Sequence, residues 1–270
     1  MTSPEIVEVS SLADIMSRMG DIVDKFLEKT VVVARGASFT LEEQIQVLNF
    51  FGETIGTYPN GSAGRLDIYT ENHSRLSGEV SKDEVLVSWH LEHVETDNPY
   101  EVIVGGLWNM YKFSASPGSG NTYFVDTAKF LASLPKEHQD LLRDSVLTWS
   151  LGGNGPYVVP TVGVHWKTGE EVLRIPLNAP KHNMQVANLE GDPFTEDSKN
   201  ALLDLIEHCI GEITTNEEIR VVHQWQEGDL VFVDLYKNAH AVAGGFDPED
   251  REFTGIWMYS RDNQAGSNDT

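Results

Sequence analysis

A single cysteine in 270 residues leaves no intrachain disulfide, which excludes the small secreted domains that depend on such staples. That residue, Cys209, lies in the apolar-periodic run 202–210, where a thiol reads as buried and inert, not as a nucleophile. Basic residues are also scarce. Nineteen lysines and arginines stand against 42 aspartates and glutamates, giving a net charge of −23 spread along the chain. Such a surface repels phosphate backbones and anionic lipid, so nucleic acid and membrane are poor partners. The acidity itself reads as a solubility or salt-adapted surface. Long hydrophobic runs are missing too. No stretch reaches the ~20 apolar residues that span a bilayer, and no basic segment leads into an apolar run at the N-terminus. A cytoplasmic protein acting on a small molecule is expected, of an oligomeric state that the chain does not reveal.

What is present is an ordinary globular composition, 40% hydrophobic, in a chain long enough for a full core. Residues 11–29 alternate apolar and charged positions at helical spacing, and Val31-Val32-Val33-Ala34 reads as a buried strand. Thr40-Leu41-Glu42-Glu43 has the form of a capping box, opening a helix to about Phe51 with Gly52 as its stop. Residues 53–83 are rich in Gly, Ser, Asn and Asp and are expected to form a long active-site loop. Thereafter 84–95, 101–113, 122–125, 171–175, 218–226, 229–236 and 253–260 read as strands, being short and rich in Val, Ile and aromatics. Helices are expected at 126–134, 136–147 and 195–211. Many strands with a few inserted helices imply an α+β, mainly β, sandwich or barrel with helices packed outside. One domain over 1–262 with a flexible tail at 263–270 follows.

Two motifs about 150 residues apart carry the chemistry: Trp89-His90-Leu91-Glu92 and Asn238-Ala239-His240, with Arg251 beyond. Alternate residues of a strand share a face, so His90 and Glu92 can converge on one ion while Trp89 and His93 point away. An isolated His-x-Glu is equally a surface histidine beside a carboxylate. The second motif raises it, because Gly228-Asp229-Leu230-Val231-Phe232-Val233-Asp234 is a turn, a strand and a carboxylate ahead of His240. Two imidazoles and one carboxylate hold mononuclear Fe(II) on one face and leave the opposite positions open. Arg251 heads a strand whose Phe253, Gly255 and Trp257 share its face, and a buried guanidinium there suits a dicarboxylate. Zinc accepts the same donors, so a zinc-dependent hydrolase remains open, as does a non-catalytic module that binds a metabolite or metal.

Over residues 30–260 the chain resembles the Fe(II)/2-oxoglutarate-dependent dioxygenases of the taurine dioxygenase type. Five segments in order carry this. They are Val32-Val33-Ala34-Arg35-Gly36 through Phe50-Phe51-Gly52, then Gly120-Asn121-Thr122-Tyr123-Phe124, then His165-Trp166-Lys167-Thr168-Gly169, then Trp225-Gln226-Glu227-Gly228-Asp229, and finally His240 with Arg251. The resemblance implies a double-stranded β-helix (jelly roll) with flanking helices. It implies His90, Glu92 and His240 as iron ligands, and Arg251, assisted by the Thr122 hydroxyl, as the site of the distal 2-oxoglutarate carboxylate. Fe(II), 2-oxoglutarate and O2 would then oxidise an unactivated C–H, with release of succinate and CO2. Taurine dioxygenase has Asp where Glu92 stands, and the His-x-Glu form is similar to that of amino-acid hydroxylases of the clavaminate synthase type. The second arginine that grips a sulfonate is replaced by Gly255. An amino acid or amine derivative is therefore the expected substrate, met by Tyr58, Asn60, Arg65 and His73 from the long loop. Asp234 and Asn238 are candidates to orient the ligands from behind.

Overall fold

The computed structural model describes residues 1–56, 58–59, 68–70, 80–82, 84–92, 103–151, 154–190 and 194–259. The N-terminal third builds an outer layer. Strand β1 (Glu5–Glu8) is followed by α1 (Leu12–Ser17), α2 (Met19–Lys29), β2 (Val31–Arg35) and α3 (Leu41–Ile55). The expected helix over 11–29 is thus two helices, parted at Arg18. The capping box forms as read: Thr40 Oγ1 accepts from the Glu43 amide at 3.2 Å, and Glu43 Oε2 accepts from the Thr40 amide at 2.9 Å. Gly52 does not stop that helix. The apolar period Val47, Leu48, Phe51, Ile55 carries through it, and Gly56 ends the helix at φ 85°, a left-handed cap that a side chain would strain.

Short β3 (Tyr58–Pro59) and β4 (Ile68–Thr70) lie within the expected long loop. Then come β5 (Val85–His90), β6 (Ile103–Phe113), β7 (Thr122–Asp126), α4 (Thr127–Ser133) and α5 (Lys136–Arg143). The helix expected over 136–147 ends at Arg143. From Ser145 the burial alternates, with Ser145, Leu147 and Trp149 inside, and the chain becomes β8 (Ser145–Leu151). The strands β9 (Asn154–Pro160), β10 (Val162–Val164), β11 (Glu171–Leu173) and β12 (Met184–Asn188) lead to α6 (Glu196–Thr215). That helix runs past Gly211 to its cap at Asn216. The chain closes with β13 (Val221–His223), β14 (Leu230–Val233), β15 (Asn238–Ala243) and β16 (Arg251–Tyr259).

Two sheets matter for the site. The larger has the order β1-β2-β14-β6-β16-β3, with β4 also paired to β16; the smaller has the order β13-β7-β15-β5. β14 is buried on both faces. Its Leu230 and Phe232 pack on α1–α3, where Phe51 meets Phe26 and Phe232 with ring centroids 5.1 and 4.9 Å apart. Its Val231 and Val233 face inward with Trp108, Phe124, Trp225 and Phe253. A third cluster joins the outer side of the smaller sheet, through Trp89, Val125, Ala239 and Ala241, to β8, β12 and α6. Among the described residues no helix is long and apolar enough to cross a membrane.

Cys209 is fully buried in α6, and burial pushes its thiol up to about 12. Thiolate, the reactive form, therefore accumulates only at pH values above those at which the protein is handled. The native protein should resist iodoacetamide at mildly alkaline pH and take up one equivalent once unfolded in guanidinium, as read by mass spectrometry. Alkylation of the native chain at the unfolded rate would contradict this burial.

Candidate metal centre and its cavity

β15 lies between β7 and β5, and its backbone register places His240 directly opposite His90, with Val242 opposite Thr122. Residues distant in sequence are thereby set side by side. β5 is shorter than the expected 84–95 strand: it ends at His90, and Glu92 lies two residues beyond the last paired position. Even so the three side chains converge. Glu92 Oε1 is 3.6 Å from His90 Nε2 and 3.8 Å from His240 Nε2, and one ligand atom from each residue lies within 4.8 Å of the others. The imidazole centroids are 4.1 Å apart.

His90 Nδ1 sits 2.8 Å from the Ser88 carbonyl, which can only accept. A ring proton is thus held at Nδ1, which leaves Nε2, the nitrogen turned toward Glu92, as the atom that can serve a metal. Burial, with the neighbouring His90, holds the His240 imidazole down at about 3, against the opposing influence of Glu92. His240 is therefore neutral at physiological pH. Two imidazoles and one carboxylate, clustered on one side of a space, are the donor set that a divalent iron accepts. The residues fit such an ion.

That space is a cavity of about 340 Å3 between the two sheets. The smaller sheet contributes His90, His240, Val87, Thr122 and Val242, with Glu92 just beyond its edge; the larger contributes Trp108, Arg251, Phe253 and Trp257. Arg251 is 7% exposed, and its guanidinium lies 5.0 Å from the Phe246 ring, 5.5 Å from Phe253 and 5.7 Å from Trp225. Aromatic faces hold the cation in a dry setting where a carboxylate ligand would be bound strongly. Trp225 Nε1 donates to Thr122 Oγ1 at 2.9 Å. Because indole is a donor only, the Thr122 hydroxyl keeps its own proton to donate elsewhere.

Behind Trp225 stands a buried charged support. Arg35 donates to both oxygens of Asp229, at 2.7 and 2.8 Å, and the Gln226 amide donates to the same carboxylate at 2.8 Å. Burial works against the Asp229 charge, yet these bonds and His223 hold its carboxyl below the usual range. His223 Nε2 lies 3.3 Å from Asp229, and its ring meets Trp225 edge-on at 4.3 Å.

The cavity thus gathers His90, Glu92, Thr122, His240 and Arg251, with Phe253 and Trp257 on the face read for them. Trp89 is buried in the outer cluster, away from the cavity, as its alternation implied. Of the two residues expected to orient the ligands from behind, Asn238 meets the His240 imidazole through its backbone. Asp234 Oδ2 pairs with His165 Nε2 at 2.9 Å, while Asn238 bonds Thr30 Oγ1 at 3.1 Å and the Asp234 carbonyl at 2.8 Å, so both fix the turn that precedes His240. Asn60, Arg65, His73 and His93 lie outside the described residues, and the described part of Tyr58 is its backbone, paired with Tyr259. Sequence reasoning assigned no role to Trp108 or to the Trp225–Thr122 bond. Their signal was available in part, since Trp108 pairs in register with Gly255, two positions from both Phe253 and Trp257.

The depressed histidines set a pH dependence. An unfolded histidine takes a proton near 6.5, whereas folded His240 does not until about 3, and burial lowers His223 in the same direction although Asp229 opposes it. The stabilisation is complete above pH 6.5 and is lost as pH falls, by about 1.4 kcal/mol per pH unit for each proton excluded. Urea melts of the metal-free protein between about pH 7.5 and about pH 5 should show this slope, shallower in His240→Gln. Equal slopes in the two proteins would contradict a neutral, buried His240.

With this geometry established, comparison with known proteins places the chain. The profile of the family described as "Taurine catabolism dioxygenase TauD, TfdA family" matches residues 4–257. Among curated proteins no significant sequence match is found. A taurine dioxygenase structure from Burkholderia xenovorans superposes with a TM-score of 0.67 at 18% identity, covering 97% of this chain and 89% of that one. AAD-2 in complex with Mn(II) and N-oxalylglycine gives 0.64 at 17% identity, covering 97% and 95%. PvcB from Pseudomonas aeruginosa gives 0.65 at 15%, covering 97% and 90%. At these identities the superpositions establish a shared fold, and the family match does the rest; the hydrolase and non-catalytic readings give way. The chain belongs to the TauD/TfdA family and is an enzyme of the Fe(II)/2-oxoglutarate-dependent dioxygenase class, using Fe(II), 2-oxoglutarate and O2.

Proposed function

We propose that this enzyme hydroxylates an unactivated C–H of a small metabolite, an amino acid or amine derivative, with release of succinate and CO2. One observation carries the reading: His90, Glu92 and His240 converge in the same cavity that Arg251 and Thr122 line. In this reading the triad holds the iron through His90 Nε2, His240 Nε2 and the Glu92 carboxylate. Arg251 receives the distal carboxylate of 2-oxoglutarate, and the Thr122 hydroxyl, its oxygen already engaged by Trp225, donates to the same group. Bound iron supplies the activation of O2 that an organic side chain cannot.

The chain's own residues supply position and dryness. His240 needs no deprotonation to act as a ligand. The rings of Trp108, Phe253 and Trp257 wall the cavity with apolar surface, which excludes water and suits a hydrocarbon segment of the substrate. Gly255 lies between Phe253 and Trp257 along β16 and brings no second cation there, which weighs against a sulfonate. The preference for an amino acid or amine rests on Glu92 in the His-x-Glu motif. The two facing sheets are read as a distorted double-stranded β-helix in one domain over 1–262; the expected tail at 263–270 lies outside the described residues. A cytoplasmic setting accords with the lone, buried cysteine.

Arg251→Ala should weaken 2-oxoglutarate binding by roughly 10–100-fold, the loss of a charge-assisted pair. Metal binding should persist, as read by calorimetry on the Mn(II)-loaded protein. His240→Ala should abolish both metal uptake and succinate formation. Succinate production by His240→Ala at the wild-type rate would refute the ligand assignment, and unaltered 2-oxoglutarate affinity in Arg251→Ala would remove that residue from the site.

A further inference from the structure

Arg174 is the buried cation whose position the iron-site reading leaves unexplained. It follows β11 directly, is 6% exposed, and is anchored through its own backbone, whose amide donates to the Thr161 carbonyl at 2.8 Å. Its guanidinium spans two segments. Nη2 donates to the carbonyl of Glu92 at 3.2 Å, and Nη1 donates to the carbonyl of Tyr236 at 2.9 Å. The guanidinium carbon lies 4.2 Å above the Tyr236 ring. The cradle is built for this: a methyl group on Gly163 would come within 2.6 Å of the Tyr236 hydroxyl and 2.9 Å of Arg174 Cδ, so the bare glycine makes room for both side chains.

The two carbonyls belong to the two arms of the triad. Glu92 is itself a ligand, and it sits beyond the point where β5 stops pairing with β15. Tyr236 is in the turn that delivers His240, four residues before it. The β-ladder fixes His90 against His240, but its hydrogen bonds do not reach Glu92. A planar fork with donors on separate nitrogens ties the Glu92 backbone to the turn, where a lysine's single ammonium cannot hold the same spacing. We propose that Arg174 is a positioning residue that sets the Glu92 carboxylate against the two imidazoles through the Glu92 and Tyr236 carbonyls. The proposal rests on the reading of His90, Glu92 and His240 as the metal site.

The test uses full-length metal-free protein titrated with Mn(II), following the free-ion EPR signal, with thermal melts run alongside. Arg174→Met keeps the length of the stem and removes the donors. It should weaken Mn(II) binding by about 10–100-fold, the usual loss when a group supporting a metal ligand is removed. It should also change the EPR spectrum of the bound ion, which reports ligand geometry. Arg174→Lys should recover part of the affinity. A purely structural role would lower the melting temperature yet leave Mn(II) affinity and the bound-ion spectrum unchanged well below it, and that result overturns the proposal. Should Arg174→Met not fold, Arg174→Gln, which can reach one carbonyl but not both, is read by the same criteria. Wild-type protein that takes up no Mn(II) would overturn the metal-site reading itself, an outcome distinct from a variant that matches wild type.

Discussion

The antiparallel pairing of β15 with β5 on one side and β7 on the other is the constraint on which the site depends. It sets His240 opposite His90, and Val242 opposite Thr122, so residues far apart in the chain share one surface. A shift of one residue in that register would turn His240 to the other face of the sheet, into the cluster that now holds Ala239 and Ala241. Small residues stand at those two positions because that face packs on the outer layer, while the face carrying His240 meets the cavity. The larger sheet closes the space from the other side and brings Arg251 to it at the head of β16.

Buried polar groups hold the connections where strand pairing gives out. At the turn before β15, Asp234 accepts from the amides of Tyr236 and Lys237 and pairs with His165. Thr30 ends α2 at φ 66°, an unfavourable left-handed setting for a β-branched residue. It is kept there by partners: its carbonyl accepts from the Asp234 amide at 2.8 Å, and its hydroxyl bonds Asn238. The Trp225 turn is held in the same way by Asp229 beneath Arg35. In both places a carboxylate accepts from backbone N–H groups, two at Asp234 and one at Asp229, so each loop flanking the ligand strands has one geometry.

Much of the site was legible in the sequence because it is encoded in short spacings. His90 and Glu92 are two apart, Arg251 heads a strand with alternating aromatics, and the Thr40–Glu43 pair announces its own helix. What was not legible depends on pairing between distant segments. Strands β8 and β12 are short and half polar, and they become strands because they pair with each other and pack beneath α6. The 136–147 stretch carries helical residues at first, then the alternating Ser145, Leu147, Trp149, and a single period assigned to both was wrong from Asp144 onward. Gly52 was read as a stop from its residue type alone, whereas burial of Phe51 and Ile55 carried the helix across it. The bridge from Arg174 to Glu92 joins residues 82 apart through backbone carbonyls, which no side-chain pattern records.

The central claim is that the triad and Arg251 bind Fe(II) and 2-oxoglutarate in one cavity. The most direct measurement is an anaerobic titration of the Fe(II)-loaded protein with 2-oxoglutarate, followed by visible absorption. The account predicts a weak metal-to-ligand charge-transfer band that grows to saturation at one equivalent per chain. Iron demonstrably bound with no such band would show that 2-oxoglutarate does not chelate the metal, and would contradict the account.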